Sequence, residues 1–265
     1  MLLLRGENLN KAEFSVRNAK VKLSTTKISQ NGHWAFLHLD TTKVSPGTVQ
    51  VTIKNALGST VVPYQVEART TGRRGPQGVS SHDSIYLIMP DRFADGDPQN
   101  DRQPGMPFDQ NNPHAWHGGD LEGVRQHLDY LKDLGISTVW LTPVQQNHEP
   151  DSYHGYGATD SYAVDSHFGG LGDLKMLAAT LHQQGMKLVL DTVPNHVGPA
   201  HPWVDDSPTP DWFHGTKASH RPASGVFPAL MDPHATKREV SEVQDGWFVD
   251  LLPDLNQETL WSVPT

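Results

Sequence analysis

Cysteine is absent from the 265-residue sequence, which excludes disulfides, thiolate metal ligands and a thiol nucleophile and leaves the redox compartment open. A long apolar run is also lacking. Met1 to Leu4 meets Arg5 and then Glu7, far short of a signal-peptide core or a membrane span. That apolar start runs straight into strand-like text, the pattern of a chain whose beginning lies upstream. Location is therefore left open: periplasmic or secreted if a leader precedes it, cytoplasmic otherwise. Basic residues are outnumbered, 21 Lys and Arg against 30 Asp and Glu for a net charge of −9, so nucleic acid is not the expected partner. No Gly-rich loop opens a helix to hold a phosphate, and nothing repeats at a solenoid period. What is present suffices for a soluble globular core: 36% hydrophobic residues with seven Trp, six Tyr and eight Phe.

Residues 1–69 alternate short strand-like runs with turns at Pro46-Gly47 and Leu57-Gly58, the rhythm of a small β-sandwich. Residues 70–79 are polar and Gly-rich, the composition of a linker. From residue 80 to 265 the rhythm changes to strand then helix. Ser84–Met89, Thr138–Leu141 and Lys187–Leu190 read as strands buried on both faces. Between them, Gly123 to Leu134 places Val124, Leu128, Leu131 and Leu134 at helical intervals. Asp173 to Gln184 does the same, with Asp173 as N-cap and Gly185 as stop. Buried strands separated by amphipathic helices imply a parallel sheet, with Asp91, Thr142 and Asp191 at one common end.

Chemistry in such folds collects where the strands end. Asp91-Arg92-Phe93 follows the first strand. Thr142-Pro143 and then Tyr153-His154-Gly155-Tyr156-Gly157 follow the second. Asp191-Thr192-Val193-Pro194-Asn195-His196 follows the third, and a long loop closes on Leu252-Pro253-Asp254-Leu255-Asn256. Taken singly, each is as well explained by a structural hydrogen bond. In this order and spacing, over Ser84 to Gln257, they resemble the α-amylase family of glycoside hydrolases, and within it the cyclomaltodextrinase and neopullulanase branch. The resemblance implies an α/β chain: an incomplete (β/α)8 TIM barrel, with its first strands and the start of a loop domain inserted at about 197–250, preceded by an immunoglobulin-like β-sandwich. Leu2 to Asn10 resembles the branch's amino-terminal domain, and His201 to Gly215 resembles the inserted loop.

Residue by residue, the resemblance implies that Tyr156 stacks beneath a sugar, whose C–H face suits an aromatic ring. His154 would touch the same sugar and His196 would bond one of its hydroxyls. Asp191 would orient an arginine from the fourth strand, and Asn195 would brace its loop. The substrate class is α-1,4-glucan or cyclodextrin; neither nucleic acid nor membrane is a partner, and a homodimer of the full-length enzyme is left open. The oxygen-rich loop Asp95-Gly96-Asp97-Pro98-Gln99-Asn100-Asp101 is not an EF-hand, because Asn100 stands where that loop needs Gly. It resembles the branch's calcium loop, which implies Ca²⁺ held by Asp95, Asp97, Asn100 and Asp101 with Gly118 and Asp120. A retaining glycosidase needs two carboxyl groups, which the family places after the fourth and fifth strands. They are expected beyond Thr265, so no catalytic residue is assigned here: the chain reads as a part of a retaining hydrolase that is inactive alone, with a catalytically inactive glucan-binding fragment or pseudo-enzyme as the alternative.

Overall fold

The computed structural model describes residues 1–18, 20–68 and 78–258. The linker expected at 70–79 therefore falls, over 70–77, outside the described residues. The chain divides into two compact units, one holding residues 1–68 with 206–212 and the other residues 78–205 with 213–258.

In the first unit the strands are β1 (Leu2–Arg5), β2 (Glu13–Val16), β3 (Lys22–Ile28), β4 (Trp34–Asp40), β5 (Gly47–Asn55) and β6 (Gly58–Val66). They form two antiparallel sheets in the orders β1-β4-β3 and β2-β5-β6. Leu4, Leu9, Ala35, Leu37 and Val51 are buried together, and Phe14, Val16, Leu23 and Tyr64 pack around them. The result is a two-sheet sandwich. Ala56 and Leu57 turn the β5–β6 hairpin, where Gly58 takes a φ of 153° and the Asn55 side chain accepts the Leu57 N–H at 2.9 Å. Residues 206–212, expected within the inserted loop, pack with this sandwich. There Asp206 accepts from Asn31 Nδ2 at 2.8 Å, and its carbonyl accepts from the Trp34 indole at 3.0 Å.

The second unit is built on β7 (Ile85–Ile88), β8 (Thr138–Leu141) and β11 (Lys187–Leu190), parallel and in the order β11-β8-β7. Register aligns Ile88, Leu141 and Leu190, so Asp91, Thr142 and Asp191 leave the sheet at one end as expected. At the other end the Asp83 carboxylate accepts from Lys187 Nζ at 2.8 Å, Ser137 Oγ at 3.2 Å and Thr138 Oγ1 at 3.3 Å. Lys187 and the Ser80 amide hold it well below the usual carboxylate range. Between the strands run α1 (Pro90–Phe93), α2 (Leu121–Gln126), α3 (Leu128–Asp133), the short ladder β9 (Gln145–Gln146) with β10 (Asp160–Val164), and α4 (Leu171–Gln183). Beyond β11 lie α5 (Pro202–Asp205) and α6 (Lys237–Gln244). Among the described residues no helix is long and apolar enough to cross a membrane.

Three expectations change. The strands are not buried on both faces. Ile88, Val139 and Leu141 join Val124, Leu128, Leu131, Leu177 and Leu181 in the core, whereas Ile85, Leu87 and Trp140 on the opposite face remain exposed. Helices cover one face of the sheet, and period two sends the alternate side chains to the other. The single helix expected at 123–134 is two, broken at His127, where φ −106° and ψ 16° leave the helical well and the ring Nδ1 lies 2.8 Å from the Gly123 carbonyl. Finally, Asp173 lies in the first turn of α4 rather than capping it. Gly169 and Gly170, at φ 96° and 106°, start the helix earlier than a side-chain cap at Asp173 would.

Candidate functional site

The loops after β8 and β11 meet through Tyr156. Gly155, at φ 88°, lies so near the Pro143 carbonyl that an added Cβ would come within 1.9 Å of it. Only glycine lets the chain turn this tightly. The turn brings the Tyr156 N–H to His154 Nδ1 at 3.0 Å and the phenol to Asp191 Oδ2, which accepts at 2.9 Å. Burial first, then Asp191, pushes the phenol up to about 12, so it stays protonated and donates. His196 lies 3.0 Å by Nε2 from the Tyr156 carbonyl and 3.2 Å by Nδ1 from the Asn195 amide nitrogen. Donor and acceptor roles are then fixed: Nε2 carries the proton and Nδ1 accepts. Burial lowers both His154 and His196 from the ordinary imidazole value. Asp191, Asn195, His196, His154 and Tyr156 thus form one cluster of neutral rings around a half-buried phenol.

His196 has both nitrogens engaged within the protein, and Asp191 already holds the phenol. Each braces Tyr156 in this structure, beyond the parts expected of them. The Phe248 ring lies parallel to that of His196 at 6.0 Å, and 40% of the residue is exposed. The tail 253–255 pairs with this strand end, since Val197 N–H donates to Pro253 O at 3.2 Å and Leu255 N–H to Asn195 O at 2.9 Å. Asp254 is buried against His214, whose Nδ1 lies 2.7 Å from Oδ2; burial raises its carboxyl to about 6.

A second group forms around the loop after α1. Asp120 is fully buried and fully used. Its Oδ1 accepts from Gly96 N–H at 3.1 Å and Gly123 N–H at 2.6 Å; its Oδ2 accepts from Asp97 N–H at 2.9 Å and Asn100 Nδ2 at 2.8 Å. It caps α2 and ties down the loop. Asp97 is exposed and accepts the Gln99 N–H at 3.1 Å. By contrast Asn100 Oδ1 and Asp101 Oδ1 are buried without a donor, and a Cβ on Gly118 would stand 2.5 Å from that same Asp101 oxygen. Burial, then neighbouring carboxylates, raises Asp95 and Asp101 above the usual range. Among the described residues no three His, Cys, Asp or Glu side chains converge on one point. Any cation here would need the Asn100 amide and a backbone carbonyl beside the carboxylates, which is hard-oxygen chemistry.

Residues 87–250 match the α-amylase catalytic-domain model, and residues 1–70 match the cyclomaltodextrinase N-terminal model. The chain belongs to the α-amylase family. It is 39% identical over 138 residues to a β/α-amylase of Paenibacillus polymyxa, covering 51% of this chain and 12% of that one. It is 40% identical over 115 residues to a cyclomaltodextrinase of Thermoanaerobacter pseudethanolicus, covering 43% and 20%. Among solved structures, an Anoxybacillus α-amylase superposes with a TM-score of 0.55 at 40% identity, over 68% of this chain and 35% of that one. The chain thus spans about a third or less of the length of these relatives.

Within this α-amylase-family chain, Arg92 was named in the sequence without a role. Its guanidinium pairs with the buried Asp91, donates to Pro113 O at 2.8 Å and Ala115 O at 2.9 Å, and lies 3.7 Å over the Tyr153 ring. An Asp-Arg dipeptide at a strand end was the only signal. The pairing of His214 with Asp254, separated by 40 positions, had none.

Proposed function

We propose that the protein carrying this chain is a glycoside hydrolase acting on α-1,4-glucans and cyclodextrins, and that this chain provides its sugar platform. The observation that carries the reading is the Tyr156 ring, half-exposed at the strand ends and fixed by His154, Asp191 and His196. A pyranose presents a C–H face to such a ring and hydroxyls to the polar groups beside it. His154 offers its Nε2–H, because its Nδ1 is already an acceptor. Asn195 and His196 brace the platform from behind.

Cleavage with retention takes two carboxyl groups about 5–5.5 Å apart. Three carboxyls in or near this cluster already have partners: Asp191 the Tyr156 phenol, Asp254 His214 and Asp91 Arg92. None of these three carboxyls is therefore assigned as nucleophile or acid/base. The same commitments favour the alternative of a glucan-binding fragment without cleavage. The loop 95–101 is proposed to hold Ca²⁺ through Asp95, Asn100, Asp101 and the Gly118 carbonyl, with Asp120 ordering the loop. When bound, the ion supplies positive charge among carboxylates.

Calorimetric titration of the chain with β-cyclodextrin, alongside a reducing-sugar assay, tests the reading. Binding that Tyr156→Ala weakens at least tenfold, without sugar release, is expected of this chain, and sugar release by the chain itself would distinguish an enzyme from a binding protein. Undiminished binding by Tyr156→Ala sinks the platform.

A further inference from the structure

We propose that Arg92 is a positioning residue that couples the loop 95–101 to the Tyr156 platform, so that a divalent cation in the loop tightens glucan binding. This rests on the glucan-binding reading above and adds its regulation.

The coupling has a continuous physical path. The loop meets residues 117–119 where Gly118 leaves no room for a Cβ beside Asp101. The other side of that tripeptide is bound to Asp91, whose carboxylate accepts the His117 N–H at 2.9 Å and the Gly118 N–H at 3.2 Å. Asp91 is buried and hands its remaining charge to Arg92. Two carbonyls of the segment leading to His117, those of Pro113 and Ala115, complete the guanidinium's partners. Its flat face covers Tyr153; that ring meets His154 edge-on at 5.4 Å, and His154 Nδ1 accepts from Tyr156. Beyond the close approach of Asp101 to Gly118, every link is a hydrogen bond, an ion pair or a ring contact, and on this path Arg92 touches both the segment 113–118 and the Tyr153–Tyr156 turn.

A cation changes the loop end of this path. Asn100 Oδ1 and Asp101 Oδ1 are buried without donors, a state that favours opening toward water. A bound cation satisfies both and removes the repulsion among the neighbouring carboxylates. Residues 117–119 then hold their register, Asp91 keeps its donors and Arg92 stays flat against Tyr153. The role requires a planar fork with several donors and a stacking face, which lysine lacks.

The test measures maltoheptaose affinity of the 265-residue chain by calorimetry, in excess calcium and in chelator. Wild type is expected to bind on the order of tenfold more weakly in chelator, and by reciprocity maltoheptaose should raise calcium affinity by the same factor. Arg92→Leu should bind calcium alone as wild type does, yet hold maltoheptaose at the weak level with or without it. Arg92→Lys and Tyr153→Leu should behave alike, the latter leaving every hydrogen bond of Arg92 in place. Glucan affinity indifferent to calcium in wild type, or a full calcium effect surviving in any of these variants with native melting, overturns the proposal. A wild-type chain that binds no maltoheptaose at all removes the glucan reading itself, and the coupling with it.

Discussion

The Tyr156 hydroxyl donates to Asp191 Oδ2 at 2.9 Å, joining the loops that follow two adjacent parallel strands. The bond sets the tilt of the ring, while the ring face supplies the contact area. Tyr156→Phe should therefore keep most glucan affinity, while the lost internal hydrogen bond to a charged group lowers fold stability by about 1.5–3 kcal/mol at most. Tyr156→Ala should lose the ring and at least tenfold in affinity. Equal losses in the two variants, read by titration with β-cyclodextrin, would show that the hydroxyl and not the ring face carries binding.

Glycine at position 155 is a second determinant of the same turn. Alanine there combines a φ of 88° with a Cβ driven against the Pro143 carbonyl, so Gly155→Ala should cost a few kcal/mol. Gly135 has a φ of 83° but open space around it, and Gly135→Ala should cost only the left-handed penalty of about 1–2 kcal/mol. Urea melts of the two variants should separate clearly. Similar midpoints would mean the Pro143 contact relaxes without cost.

How much of this was legible follows from range in the sequence. The parallel pairing of the three strands and the common end of Asp91, Thr142 and Asp191 came from apolar runs and helical spacing, which are local signals. Tyr156 and His196 stood out because each lies in a compact motif, and the structure brings them together, with both His196 nitrogens engaged inside the protein. The open face carrying Leu87 and Trp140 was not legible, since an apolar strand reads the same whether one face or both is covered. Arg92 over Tyr153, and His214 on Asp254, depend on how distant loops fold back, and no periodicity announces that. The break at His127 was hidden because both helical pieces share one apolar stripe.

Asp254 makes a pH prediction. Its carboxyl is raised to about 6 by burial, against about 3.9 in an unfolded chain. The folded state therefore binds more protons between those values, so this group's contribution to stability falls as pH rises from about 4 to about 6 and is flat above. Asp254→Asn removes that slope. Melting temperatures of the variant relative to wild type should climb across this window as wild type loses its advantage. A constant difference from pH 4 to 7 would mean that His214 keeps the carboxylate ionised throughout.

The loop 95–101 yields the sharpest contrast between residues of the same charge. Asp101 is 8% exposed and presents a buried oxygen with no donor, whereas Asp97 is exposed and turned to the Gln99 amide. A cation held, as proposed, at Asp95, Asn100, Asp101 and Gly118 would stabilise the fold by mass action, about 2.7 kcal/mol at a hundredfold excess over its dissociation constant. Calcium should therefore raise the melting temperature of wild type and of Asp97→Ala, and leave Asp101→Ala unmoved. Asp120→Asn separates ligation from loop order. Its carboxylate already accepts four donors, two of them backbone amides of the loop itself, so the variant should melt lower even in chelator. If Asp101→Ala keeps the calcium shift and Asp97→Ala loses it, the ion binds on the outer rim of the loop, and the two unpartnered oxygens are satisfied by water instead.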